Sequence, residues 1–287
     1  MAIRIERRKF ISTLGGAAVA WPLEAWAQQT MPVIGFISIL SVSDRPRIVS
    51  EFHKGLNESG YVEGRNVAIE YRFAEGQYER LPPLANDLVY RKVTVIAAIS
   101  GTPAALAAKA ATDTIPIVFA IGSDPVTSGL VASLNRPGGN VTGVTFYTSP
   151  LATKRLELVS QLAPKVTTIG VLINPNNPPS VLEGESVSAA ASGFVLQATI
   201  LDASIADQID EAFAAMVQKH IGALYVSADP FFVGQRGKVV ALAARHAIPA
   251  IYADREIAEA GGPNQLWSEP VRHLPARRCL RRPDSEG

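Results

Sequence analysis

From Gln28 onward, short β-branched apolar runs alternate with longer amphipathic or alanine-rich stretches, and this alternation constrains the fold more than any other feature. Such a rhythm specifies strand–helix–strand units with a parallel sheet. In the first half it predicts strands over 33–38, 67–72, 95–100, 117–121 and 141–146. Helices are expected between them over 46–59, 78–90, 102–112 and 128–133. In the second half it predicts strands over 168–173, 195–200, 223–227 and 248–252, with helices over 180–192, 205–219 and 235–245. The strands are apolar without interruption, which suits a sheet covered on both faces.

The halves echo one another. Val95 to Ser100 leads through a polar loop to Leu106-Ala107-Ala108-Lys109-Ala110 and then Ile115-Pro116-Ile117. Ala223 to Ser227 leads likewise to Leu242-Ala243-Ala244-Arg245-His246 and then Ile248-Pro249-Ala250. A proline just before a strand blocks helix continuation and helps the strand start. Two α/β lobes, 28–146 and 147–262, are therefore expected, with the segment from Pro137 to Pro150 as a first crossing between them. The 287 residues suffice for two such lobes, each with its own core.

A net charge of +1 gives no electrostatic reason to expect nucleic acid, whose binding proteins usually carry a basic face. A single cysteine excludes a disulfide framework and any multi-cysteine zinc site. Past the first thirty positions no apolar stretch is long enough to span a bilayer. The first segment reads as an address: Arg4, Arg7, Arg8 and Lys9 precede a mildly apolar run from Phe10 to Leu23 and then Ala25-Trp26-Ala27. This is the layout of an export signal, with cleavage expected after Ala27. Arg7-Arg8 followed by Lys9-Phe10-Ile11 resembles a twin-arginine signal.

In parallel α/β sheets, ligands sit beyond the carboxyl ends of the strands. Those ends carry Ser38, Ser41, Ser43 and Asp44; then Ser100, Gly101 and Thr102; then Gly122, Ser123 and Asp124; then Tyr147, Thr148 and Ser149. The second half adds Asn174, Asn176, Asn177, Asp229, Tyr252, Asp254 and Arg255. Hydroxyls, amides and carboxylates of this kind hold a small polar ligand by hydrogen bonds. The same residue types also cap helices and close turns, so each has a structural alternative. Asp124 and Asp229 could pair with a ligand ammonium. Phe146, Tyr147, Phe231, Phe232 and Tyr252 could stack on a planar ligand or belong to the core. No nucleophile elbow, HExxH, Walker loop or GxGxxG follows a strand, and no histidine is placed for catalysis or metal binding. The pattern is that of a binder, with no cofactor expected.

Several long strings carry a family resemblance: RRKFISTLGGAAVAWPL, GLNESGYVEGRNVAIEYRFAEGQYERLPPLANDLV, GTPAALAAKAATDTIPIVFAIGSDPVTSGLVASLNRPGGNVTGVT, KRLELVSQLAPKVTTIGVLINPNNP, ADPFF and ALAARHAIPAIYADREIAEAGG. Over Met1 to Gly262 the chain resembles the exported substrate-binding proteins of ABC transporters, in the group that includes tryptophan-type amino-acid binders. The resemblance implies a type I periplasmic-binding fold, with two Rossmann-like lobes joined by a hinge and a ligand held between them. It implies a periplasmic protein that delivers a small polar or amino-acid-like molecule to an ABC permease in the membrane. Carried over, the ligand-binding positions are Ser38, Ser100, Gly101, Thr102, Ser123, Asp124, Asn174 and Asp229. The alternatives are a ligand sensor for a membrane receptor and an exported α/β hydrolase, the latter needing a nucleophile–base pair that the residues do not offer.

After Gly262 the pattern breaks. Residues 263–287 carry five arginines, four prolines and the lone Cys279, with no helical or strand period expected. Synonymous codons for Asn264 to Gly287 allow a reading one base later that spells a Ser-Tyr-Gly segment and an amphipathic helix, as in the family. A frameshifted or truncated carboxyl end is therefore expected. It would leave the second lobe short of a strand, with an open sheet edge and an uncovered apolar face.

Overall fold

The computed structural model describes residues 31–146, 151–261 and 265–267. The expected signal segment and most of the Arg/Pro-rich tail lie outside the described residues.

Strands β1 (Val33–Ser38), β2 (Ala68–Phe73), β3 (Val95–Ile99), β4 (Ile117–Ile121) and β5 (Val141–Thr145) form one parallel sheet in the order β2-β1-β3-β4-β5. Strands β6 (Thr168–Ile173), β7 (Gln197–Asp202), β8 (Ala223–Val226), β9 (Ala250–Tyr252) and β10 (Gln265–Trp267) form a second, in the order β10-β9-β8-β6-β7. The orders coincide when each sheet is numbered from its own first strand. The echo between the halves is thus a repeated topology, and the fold is two parallel α/β lobes.

Helices α1 (Pro46–Glu58), α2 (Leu81–Tyr90) and α3 (Thr102–Ala111) belong to the first lobe. Helix α1 lays Ile48, Val49, Phe52 and Leu56 over Phe36 and Ala97 on one face of the sheet. Helix α2 lays Leu81, Ala85 and Leu88 on the other. A Cβ on Gly35 would stand 3.0 Å from the Leu88 methyls, so glycine lets helix and strand approach. Alanines 104, 105 and 108 let α3 dock close to its neighbours in the core. The second lobe has α4 (Ala152–Leu162), α5 (Pro178–Ala191), α6 (Ala206–Gln218), α7 (Pro230–Gly234), α8 (Arg236–Arg245) and α9 (Arg255–Gly261). One core cluster runs from Ile37 and Leu40 of the first lobe to Phe231 and Val233 of the second, so the lobes are packed together.

Several expectations are corrected. Residues 128–133 form turns and bends: the Asp124 carboxylate caps a single turn by accepting the amides of Val126 (2.7 Å) and Thr127 (3.3 Å), and left-handed Gly129 (φ 73°) ends that turn. Helix α4 was not expected; Leu156 and Val159 dock it on the second core. The strand expected from Val195 starts at Gln197, since Val195 is left-handed (φ 58°) at the end of a 3-10 turn. Gln265–Trp267, expected to lack strand character, pairs in parallel with β9. The Pro137–Asn140 turn leads into β5 of the first sheet, so the crossing to the second lobe comes after that strand.

Candidate functional site

A cavity of about 440 Å³ lies between the carboxyl ends of the two sheets, a size suited to a small organic ligand. Its first-lobe wall is the loop from β3 into α3. Ser100 (φ 79°) and Gly101 (φ 132°) are successive residues in the left-handed half of backbone space. Such a conformation is costly for serine and natural for glycine. It turns the chain so that α3 begins at the cavity wall with Thr102 and Pro103 and with no side chain capping its amides. Uncapped amides and the helix dipole favour a negative group at that end. Beside them the hydroxyls of Thr102 and Ser123 meet at 2.6 Å, and the Ser123 carbonyl accepts Thr145 Oγ1 at 2.8 Å. The two hydroxyls are thus pinned at neighbouring strand ends. Apolar walls come from Ile48, Phe52, Phe146, Pro179, Pro230 and Ile257. The polar groups are therefore gathered on a few positions of a largely apolar cleft.

Of the expected site residues, Ser100, Gly101, Thr102, Ser123 and Asp229 line this cavity. Ser38, Asp124 and Asn174 do not. The Ser38 hydroxyl is buried and closes its own turn, accepting Leu40 N at 3.1 Å and donating to Leu40 O at 2.9 Å. Asp124 caps the turn described above and borders an adjoining cavity of about 310 Å³. Asn174, fully buried, donates to Asp229 Oδ1 at 3.3 Å and accepts the amide of Asn176 at 3.0 Å.

Asp229 reaches the cavity, but its carboxylate is already engaged. It accepts Asn177 Nδ2 (2.7 Å), the amide of Phe231 (2.7 Å), Asn174 Nδ2 and the Tyr78 hydroxyl (2.8 Å). Burial pushes this carboxyl up, and the donations from Asn177, Tyr78, Phe231 and Asn174 oppose the shift. A carboxylate so occupied is a poor first partner for a ligand ammonium.

Among the described residues, Arg45, Glu51 and Glu183 are charged groups at the cleft that sequence reasoning missed. Arg45, at the start of α1, pairs across the mouth with Asp254 and lies 3.5 Å from Glu256. Burial lowers its guanidinium below the ordinary value, Glu256 opposes that, and Arg236 adds to it. Glu183 on α5 accepts the Tyr225 hydroxyl (2.6 Å) and the Ala228 amide (2.9 Å) and pairs with buried Arg155 (2.9 Å). The Arg155 guanidinium also sits 5.2 Å from the Tyr225 ring centre. A sequence signal for Glu183 exists: it falls inside the buried stripe Ser180, Gly184, Val187 and Ala191 of α5. A carboxylate inside such a stripe requires a buried partner.

The family model for ABC transporter substrate binding proteins matches residues 33–267. A "Tyrosine-binding protein" of Clostridioides difficile (strain R20291) is 33% identical over 228 residues, 79% of this chain; the match spans 65% of that relative's length. The ABC domain from Streptococcus pneumonia, solved in complex with L-Trp, is 27% identical with a TM-score of 0.73, over 83% of this chain and 79% of that one. The ligand-free, open structure of a substrate-binding protein with adhesive properties from Clostridium difficile is 29% identical, yet its TM-score is 0.50, over 77% of this chain and 75% of that one. The fold, the interlobe cleft and the match over most of its length together establish that this chain belongs to the ABC transporter substrate-binding protein family.

Proposed function

We propose that the protein captures a small carboxylate with an apolar or aromatic body, of the amino-acid type, by closing its lobes, and presents it to an ABC permease outside the cytoplasm. One observation carries the ligand class: the left-handed Ser100-Gly101 turn sets the uncapped amino end of α3, with the Thr102 and Ser123 hydroxyls, against an apolar cleft. An anionic end fits the helix terminus and an aromatic body fits the walls near Phe52, Phe146 and Pro179. The tyrosine and L-Trp named with the relatives have both parts. In this reading Ser100, Gly101, Thr102 and Ser123 contact the ligand. Ser38, Asp124, Asn174 and Asp229 hold the loops around it. Export through the amino-terminal signal, with cleavage after Ala27, supplies the compartment. Transfer to a permease follows from the family's name and is the expected use of the captured ligand.

The test is calorimetric titration of the purified protein with L-tyrosine, L-tryptophan and benzoate. At least one of the three is expected to bind. Thr102→Ala is expected to weaken that binding about tenfold, the worth of a hydrogen bond to a charged group. Saturation by none of the three, with the protein folded, overturns the ligand class.

A further inference from the structure

Among the described residues, polar contacts that join the lobes include Tyr78 to Asp229, Arg45 to Asp254, Arg45 to Glu256 at 3.5 Å, and Arg236 to Asp44 at 4.0 Å. The first is the buried one. Tyr78 opens the 3-10 turn Tyr78–Arg80, after β2 and the left-handed pair Glu75 and Gly76, and does not line the cavity. Asp229 caps α7 in the second lobe. Among the described residues, three of its four donors, from Asn174, Asn177 and Phe231, belong to its own lobe, and only the Tyr78 hydroxyl comes from the other.

That asymmetry has a mechanical meaning. The three same-lobe donors hold the carboxylate aimed and partly satisfied whether or not the first lobe is near. The fourth bond forms only when the lobes meet. Closure thus adds one charge-assisted hydrogen bond without reorganising the acceptor, and opening removes it without orphaning a buried charge. We propose that Tyr78 and Asp229 form a ligand-independent latch that holds part of the ligand-free protein closed, making Tyr78 a positioning residue that sets capture affinity without touching ligand. Where capture requires the closed form, apparent affinity falls in proportion to that form's population. The latch rests on the reading that the lobes close around a ligand, but its central claim concerns the empty protein.

The experiment places one dye on each lobe and measures single-molecule energy transfer in ligand-free protein. The wild type is expected to show a closed population. Tyr78→Phe, which removes one hydroxyl and leaves Asp229 three donors, is expected to shift the closed-to-open ratio about tenfold toward open. In titration with L-tyrosine or L-tryptophan, apparent Kd should rise by the same factor as the measured closed fraction falls. A general packing defect would lower the melting temperature without that proportionality. A wild type with no closed molecules overturns the latch even if the variant fails to fold. So does a folded Tyr78→Phe protein with an unchanged closed fraction. Failure of both amino acids to bind strikes the ligand class instead and leaves the energy-transfer result standing.

Discussion

Gly101 shows how much one residue type can decide. Its φ of 132° lies where side chains are rarely tolerated, and an added Cβ would stand 2.9 Å from Pro230 Cγ in the opposite lobe. Gly101→Ala therefore strains the loop and props the cleft at once. We expect it to cost about 1–3 kcal/mol of stability and to enlarge the radius of gyration, read by denaturant melts and small-angle scattering. Tyr71 makes a separate residue-level prediction. Its hydroxyl bonds His53 Nε2 at 2.7 Å, and burial, then the Glu63 charge, push its phenol from 10.0 up to about 12. The unfolded phenol loses its proton first as pH rises, so this contribution to stability is intact below about 10 and is lost progressively toward about 12. Tyr71→Phe should flatten that alkaline limb of the stability profile, measured by urea melts across the range.

At the scale of elements, the parallel strands were legible because an uninterrupted apolar run has few other places to go. Helix α4 was not, since its exposed face is charged and its buried face includes Arg155, which no hydropathy pattern marks as interior. Arg155 and Glu183 are each almost wholly buried and join α4 to α5. Removing one partner strands the other in a poorly solvated site, so Arg155→Met should destabilise the protein by about 3 kcal/mol. Adding Glu183→Gln should recover part of that loss, because the amide oxygen can still accept the Ala228 amide, its NH2 can donate to the Tyr225 hydroxyl oxygen, and no charge is left buried. Thermal melts of the single and double variants decide it. The helix expected over 128–133 does not form because Gly129 takes a left-handed φ of 73°, which ends the turn capped by Asp124 after a few residues.

For the whole molecule, coverage of the sheets matters most. Val118, Val144 and Phe146 are 42%, 64% and 60% exposed on or just beyond β4 and β5, on the sheet face whose other end α1 covers. Strand β5 is also an edge, with Thr142 and Gly143 exposed, whereas the opposite edge at β2 is guarded by Arg72 bonded to Asp87 at 2.7 Å and to Glu70 at 3.1 Å. An unguarded apolar edge invites strand pairing between molecules. Val144→Lys should lower concentration-dependent light scattering while moving the melting temperature little, since the side chain is mostly exposed.

Read alone, the sequence determined the class of fold, the two-fold repetition of its topology, the strand ends that hold the cleft, and the hydroxyl-rich loop from Ser100 to Thr102. These follow from periodicity and local backbone chemistry, which act over a few residues. Tertiary structure alone decided which polar residues face the cavity and which serve the scaffold. Ser38 and Asp124 spend their side chains on their own turns, and Asp229 binds a tyrosine 151 positions away. A hydroxyl or carboxylate at a strand end has the same chemistry in either role. What separates the roles is the competition among nearby donors, and folding settles that competition by bringing distant segments together.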